Sequence, residues 1–391
     1  MASCLLVVIY LAFISLGLPD PMLGAAWPTM GADLGARLSA AGAVSMIISA
    51  GTIVSSLASN WLIHRLGVGR VMLASVGATA LALLGFAQAG SLAAVCLLAV
   101  PLGLGAGAVD AALNNYVALN YKALHMNWLH GMWGVGATAG PMIMAAHLAH
   151  QGDWPGGYRA VAHLQLGLVV VLALSLPLWR AVHNSNRPAG APAGEYVSTA
   201  QALRTPGVKL ALATFFCFVG FEASAGLWAS SYLVQQRGLD AVAAASWASL
   251  FFGGTMVGRF FSGLLALRCD GRTMIRGGLV CALVAAILLV LPLPPVAALV
   301  GLVLLGLGNA PLYPAMIHET PRRFGESVSQ AATGLQMACA YVGMTFLPPI
   351  EGLLAQVFSL ALIPWAVLLL VLGGAICSEA LNRRIDSIQR G

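Results

Sequence analysis

The chain has 391 residues, of which 59% are apolar and 8% charged, with a mean hydropathy of +0.87. Water-soluble domains carry about 25% charged residues, so this composition excludes a soluble domain and points to a protein whose main solvent is lipid. The net charge of +6 comes from basic residues scattered along the chain, not from one patch, which excludes a nucleic-acid-binding surface.

A bilayer core about 30 Å thick requires around 20 mostly apolar residues per helix. Such stretches recur from end to end, and their continuously apolar character, as at 164–178 and 279–291, rules out the alternating pattern of a β-barrel. Twelve helical spans are predicted: 4–30, 40–63, 69–89, 92–120, 124–148, 161–182, 208–234, 242–267, 274–292, 295–317, 327–350 and 356–380. Pro19, Asp20 and Pro21 interrupt the first, and no small-residue cleavage site follows it, so it is expected to stay in place as a span. The polar stretch 184–207, with Pro188, Pro192 and Pro206, divides the spans six and six. The expected organisation is therefore an N-terminal bundle over 1–183, a cytoplasmic linker over 184–207 and a C-terminal bundle over 208–391.

Basic residues collect on the cytoplasmic side of membrane proteins. With the N-terminus inside, fifteen Lys and Arg fall in cytoplasmic segments, only Arg37, Arg159 and Arg237 fall on the other side, and Arg259 lies within a span. Both termini are thus expected in the cytoplasm. The seven cysteines show no CxxC or Cys/His metal spacing and read as small packing residues, with no metal site.

The two halves repeat each other. Gly103–Leu104–Gly105 matches Gly306–Leu307–Gly308, Gly131 matches Gly334 and Arg65 matches Arg268, each 203 positions later; Asp20 with Gly24 matches Glu222 with Gly226 at 202. Parallel six-span repeats place a solute site near mid-membrane between the halves and imply alternating access.

Buried ionisable residues are functional candidates because a charge at the bilayer centre costs roughly 2.5–3.5 kcal/mol even on lenient scales. Asp20, Asp110, Glu222 and Arg259 qualify, giving three acids against one base. The acids are candidates for binding and releasing a proton, Asp20 and Asp110 first. Asp110 and Asn114 share one face of span four, where a hydroxyl could bridge them. Arg259 has an acid as its natural counter-ion, and is read either as a fixed ion pair or as a gate. Asn114, Asn115, His130, Trp133, Glu222, Trp228, Asn309, Tyr313 and Gln336 supply the amides, acids and aromatic plates that a sugar's hydroxyls and ring face require.

Several of these segments resemble a known group. The 65–70 turn, Gly103–Leu104–Gly105 leading to Asp110 and Asn114–Asn115–Tyr116, the 129–141 segment of span five, Gly220 with Glu222 and Trp228, and Asn309 with Tyr313–Pro314 are similar to the major facilitator superfamily, and within it to the fucose-galactose-glucose-mannose proton symporters. That resemblance implies an all-α membrane fold of two pseudo-symmetric six-helix bundles and proton-coupled symport of a small neutral sugar. The proton is the expected coupling ion, with sodium left open, and no cofactor is implied. It further implies a monomer in the bacterial cytoplasmic (inner) membrane. In fucose permeases the acid of span four is a Glu; here it is the shorter Asp110. A proton antiporter exporting drugs or metabolites is the alternative on the same fold. No His-Glu-x-x-His and no phosphate-binding loop occurs, which argues against an enzyme and a nucleotide-driven pump.

Overall fold

In the computed structural model, residues 2–120, 123–150, 153–183 and 199–390 are described, and they form fifteen helices in the order α1 (Ala2–Gly17), α2 (Met22–Asp33), α3 (Ala40–Leu66), α4 (Val68–Phe86), α5 (Leu92–Asn120), α6 (Ala123–Leu148), α7 (Trp154–His183), α8 (Thr199–Arg204), α9 (Val208–Arg237), α10 (Ala241–Leu265), α11 (Gly271–Val290), α12 (Pro295–Asn309), α13 (Leu312–Phe324), α14 (Glu326–Val357) and α15 (Leu362–Arg390). Eleven spans are long and apolar enough to cross a bilayer unaided. The twelfth is α6, whose 26 residues include His125, Asn127 and His130. It packs mainly against α10 and α1, so protein rather than lipid shelters much of its polar content. Most of the expected linker, 184–198, lies outside the described residues; its end is the short α8 and a left-handed Gly207 that starts α9.

Two spans are each built from a pair of helices. The first is α1 and α2, separated at 18–21, where Pro19 and Pro21 withhold two backbone donors and Met22 N–H bonds Pro19 O at 3.1 Å. The tenth is α12 and α13, separated at Ala310–Pro311. Broken helices of this kind persist in membranes only where neighbouring protein re-satisfies the freed groups. Span eleven differs from expectation in the opposite way. Pro348 and Pro349 suggest an end near 350, yet α14 continues through both to Val357, burying Glu351 and bringing the exposed Gln356 beside Ser39.

Within the first half α3 packs on α5, α4 on α5 and α7, and α1 on α6; within the second α10 packs on α12, α11 on α12, and α9 on α14 and α15. The halves meet through α6 with α10, α3 with α14, and α2 with α9 and α10. With twelve antiparallel crossings both termini fall on one face. The opposite face is closed: Gly24 lies against the backbone of Gly226 and Leu227, Gly42 against Pro349, and Ser39 Oγ donates to Gln356 Oε1 at 2.6 Å.

The tightest packing positions the broken first span. Gly136 and Gly140, one turn apart on α6, face the carbonyls of Ile14 and Leu18, while Gly17 faces the carbonyl of Trp133, and a methyl at any of the three would collide with backbone. We expect Gly140→Leu to drive α1 and α6 apart at a cost of about 1–3 kcal/mol or more, lowering the unfolding temperature of the detergent-purified protein. Gly77→Leu, in open space on α4, should leave it unchanged. Equal melting of the two variants would contradict this account.

Candidate functional site

The 18–21 break places Asp20 at the middle of the first span, where its carboxylate is exposed although facing helices surround it. Asp20 Oδ2 accepts the indole N–H of Trp133 at 2.8 Å, and Asp110 and Glu222 lie close enough to act on its charge. These neighbours come from α6, α5 and α9, so the space that Asp20 faces is inside the protein rather than lipid.

On α5 the expected pair forms. Asn114 Nδ2 donates to Asp110 Oδ1 at 2.8 Å and to Asp110 O at 3.0 Å, as the i, i+4 spacing allows. The carboxamide oxygen of Asn114 and the second carboxylate oxygen of Asp110 are not used in this pairing. Asn115 is helical, but its side chain lies outside the described residues.

Arg259 on α10 ties the halves together. Its Nη1 donates to the backbone carbonyl of His130 at 3.2 Å, its guanidinium sits 5.1 Å from the ring centroid of Trp133, and its Nη2 is 3.9 Å from Glu222 Oε1. The Arg259–Glu222 separation is that of a loose ion pair, and both side chains are partly exposed, at 14% and 21%. A carbonyl, a ring face and one distant carboxylate together hold the guanidinium in a dry setting without saturating its five donors.

The partly exposed rings of His130, Trp133 and Tyr313 line the space, and buried phenylalanines stand behind them. His130 stands edge-on to Phe13 at 5.9 Å and tilted against Tyr313 at 5.6 Å; Tyr313 also meets Phe215 at 5.8 Å, and Trp133 meets Phe252 at 6.1 Å. The Tyr313 hydroxyl is 3.7 Å from Met337 Sδ, a weak contact that leaves it available. Asp110 and Glu222 both lie within electrostatic reach of that hydroxyl.

Two expected lining residues, Trp228 and Gln336, do not face this space, and a third, Asn309, is buried behind Glu222. Trp228 is fully buried and its indole N–H donates to Pro348 O at 3.1 Å, so it packs α9 on α14 near the closed face. Gln336 accepts from Thr320 Oγ1 at 3.2 Å in a polar cluster with Arg323 and Ser378, inside the second half. Asn309 is 1% exposed, beside Glu222 but outside hydrogen-bond geometry, at the α12 end where span ten breaks. The Trp228 indole and the Gln336 amide thus serve helix packing, whereas both amide atoms of Asn309 are buried without a hydrogen-bond partner among the described residues.

Two residues escape sequence reading. Tyr341 on α14 lies beside Ser56 and within reach of Asp110. Glu351 is buried at the expected end of span eleven, 2.6 Å from Ser224 Oγ. The signal for Glu351 was its position four residues from both Leu347 and Ala355 in an apolar helical run, which the two prolines concealed.

A model described as Major Facilitator Superfamily matches residues 5–327 and, in a second alignment, 210–383. Among curated proteins the chain is 25% identical over 277 residues to Bypass of stop codon protein 6 of Saccharomyces cerevisiae, covering 66% of this chain and 56% of that one. It is 22% identical over 286 residues to an uncharacterized MFS-type transporter of Yersinia pestis, covering 72% and 71%. The chain thus spans little more than half the length of the yeast protein. Among solved structures it resembles the nucleoside transporter NupG, with TM-score 0.74 at 13% identity over 96% of this chain and 98% of that one. It also resembles the E. coli fucose:proton symporter FucP, with TM-score 0.64 at 15% identity over 97% and 98%. At these identities the two structures establish the fold.

The Trp133–Asp20 bond gives a direct test of the site. A hydrogen bond to a charged group contributes about 1.5–3 kcal/mol, so Trp133→Phe, which keeps a ring under Arg259 but removes the donor, should slow solute uptake roughly tenfold or more in a protein that still purifies as a monodisperse species. Wild-type uptake by this variant would show that the bond does not matter to transport.

Proposed function

This chain belongs to the Major Facilitator Superfamily, and we propose that it is a proton-coupled symporter of a small neutral polyhydroxyl solute, hexose-like in size and chemistry. The observation that carries this reading is the convergence, on one interior space, of an acid–amide pair, Asp110 with Asn114, and a second acid, Asp20, under an indole donor, all walled by rings. Hydroxyls need acceptors and donors set close together, and a sugar's ring face needs aromatic plates. Both halves contribute, as a shared site at mid-membrane requires. Glu222 and Arg259 face the same space from the second half as a loose pair 3.9 Å apart, whose unused donors and acceptors a hydroxyl could engage.

Three acids against one base leave an excess of carboxylates able to take up a proton on loading and yield it on release. Asp20 is the proton site in this reading because it is exposed to the interior and its one described hydrogen-bond partner is Trp133. Asp110 serves solute and proton together. Tyr313 occupies the position that the repeat pairs with Asp110, and a phenol stays neutral near pH 7 while donating to a hydroxyl. The basic-residue asymmetry favours a cytoplasmic location for both termini, so the closed face is outside and Asp20 communicates with the cytoplasm in this conformation. The chain works as a monomer of two six-helix halves, 1–183 and 208–391, in the cytoplasmic membrane.

A second reading takes a nucleoside in place of a sugar. The partly exposed rings of His130 and Tyr313, backed by the buried Phe13 and Phe215, suit a base as well as a sugar face, and NupG, a nucleoside transporter, has the same fold. Counterflow in proteoliposomes against radiolabelled hexoses, nucleosides, amino acids and cationic drugs separates the readings. Hexose exchange is the expected outcome; nucleoside exchange alone would favour the second, and cationic drugs alone an exporter.

With the solute in hand, Asp20→Asn should retain exchange but lose accumulation against a gradient, because the amide mimics the protonated acid and cannot release a proton. Accumulation by that variant would remove Asp20 from the coupling role. Tyr313→Phe should raise the half-saturating solute concentration roughly tenfold, the value of one hydrogen bond of about 0.5–1.5 kcal/mol or a little more, while uptake remains driven by the pH gradient. Loss of that drive in Tyr313→Phe would assign the phenol to coupling instead.

A further inference from the structure

Glu351 is a carboxyl with 4% exposure on α14, and none of the ion pairs of the described residues includes it. Its Oε1 lies 2.6 Å from Ser224 Oγ on α9, and its Oε2 is buried without a hydrogen-bond partner among the described residues. Ser224 Oγ is in turn 2.8 Å from the carbonyl of Gly220. A hydroxyl has one proton to give. If Ser224 gives it to Glu351, the Gly220 contact goes unserved, and an ionised carboxylate is left with one oxygen buried and bare, which is costly in an apolar interior. If Glu351 itself carries a proton, every contact is served. The acid O–H donates to Ser224 Oγ, Ser224 donates to Gly220 O, and Oε2 becomes the uncharged carbonyl oxygen that burial tolerates best.

Among the described residues, no ion pair brings a charge to Glu351 to balance an ionised form. From α9 the facing polar group is Ser224, while Glu222 is directed to Arg259 and Arg237 is held by the carbonyls of Leu289, Leu291 and Leu293. From the start of α3 the groups that reach α14 are Ser39, bonded to Gln356, and Gly42 against Pro349. The acids and bases of α13 and α15 are engaged elsewhere: Glu319 with Arg322 and Arg323, Asp386 with Arg272, and Glu379 with Arg276.

Glu351 also sits inside the closure. On the helix turn before it, Pro349 receives Gly42, and Pro348 O receives the Trp228 indole; just after it, Gly352 lies against the Trp228 ring and Gln356 receives Ser39. Separating α3 from α14 would strip the cover from this turn and admit water to the carboxyl.

We propose that Glu351 is a second proton-binding site, protonated while the face opposite the termini is closed and released to water when α3 and α14 part there. On opening, the Glu351 O–H gives its proton to entering water, and the Ser224 hydroxyl turns from Gly220 O to donate to the new carboxylate. Reclosure requires the proton back. Ionisation of Glu351 thereby favours the open form of this face, and protonation favours the closed one. The inference extends the proton-coupled reading, but its test needs no solute, so it stands or falls apart from the sugar assignment.

Two measurements decide it. Infrared difference spectra of the lipid-reconstituted protein at neutral pH should show a protonated-carboxyl C=O band that Glu351→Gln removes and that Ser224→Ala shifts in frequency. A band set unchanged by Glu351→Gln would overturn the proposal. Spin labels on cysteines replacing the exposed Arg37 and Phe358, in a background without the native cysteines, report the distance across the closure. With wild-type Glu351 the long-distance population should grow several-fold as pH rises, whereas Glu351→Gln should hold the short distance at every pH. Should Glu351→Gln fail to fold, Ser224→Ala serves alone: removing the acceptor of the acid proton must shift the pH midpoint of opening, and an unshifted midpoint would equally refute the proposal.

Discussion

A guanidinium held inside a bundle that crosses a bilayer has to find negative charge or strong dipoles, and it organises whatever supplies them. Arg259 finds them across the boundary between the two halves: the carbonyl of His130 and the ring of Trp133 from α6, and Glu222 from α9. Because Trp133 also donates to Asp20, a change of charge at Asp20 is felt through one shared indole by the base of the other half. In the proposed mechanism, that shared contact is the route by which protonation of Asp20 alters how the halves hold together. The loose 3.9 Å pairing with Glu222 suits such a role better than a tight bidentate pair, which would be too stable to rearrange in a transport cycle.

The same economy explains the glycines of α1 and α6. Breaking the first span at Pro19–Asp20–Pro21 exposes backbone groups at mid-membrane, and only a closely packed neighbour removes them from lipid. Gly17, Gly136 and Gly140 provide that closeness by letting backbone touch backbone. The break, the glycines and the acid are one device: the break aims Asp20 inward, and the glycines bring Trp133 within 2.8 Å of it.

The fold was legible because lipid imposes a length requirement that leaves its mark on composition, and because the repeat offset of 202–203 pairs residues between halves. Asp20, Asp110 with Asn114, and Glu222 with Arg259 were legible for a related reason. A charge in an apolar run has few explanations, and i, i+4 spacing fixes which polar groups meet. Polar but uncharged side chains carried no such information. Trp228, Asn309 and Gln336 sit in helices apolar on every side, so no amphipathic stripe tells a residue facing the solute from one facing a neighbouring helix. The structure turns Trp228 and Gln336 to helix packing and Asn309 into the break of span ten. Tyr341 was hidden in the same manner. Glu351 was hidden by a different rule, since paired prolines usually end a helix in water, whereas here α9 and α3 pack around α14 and carry the helix through.

The distribution of charge along the bundle separates two tasks. Near the termini, acids and bases pair directly, as in Arg276 with Glu379 at 2.9 Å and Arg323 with Glu319 at 3.6 Å, and Asp270 is held below its usual carboxyl range by the Thr273 hydroxyl. Those pairs fix helix ends. Toward the middle the acids outnumber the single base among the described residues, and the partners of Asp20 and Asp110 are neutral donors, an indole and an amide, while Glu351, beside the closed face, lies against a hydroxyl. Neutral donors stabilise a carboxylate less than a cation does, which is why the proposed coupling rests on these acids and not on the paired ones. A protein that needed only structural integrity would have no reason to place its unpaired acids where lipid makes them most expensive. In the proposed mechanism, their placement along the first span, the fourth and the eleventh gives the positions at which the bundle exchanges a proton with water as one face opens and the other closes.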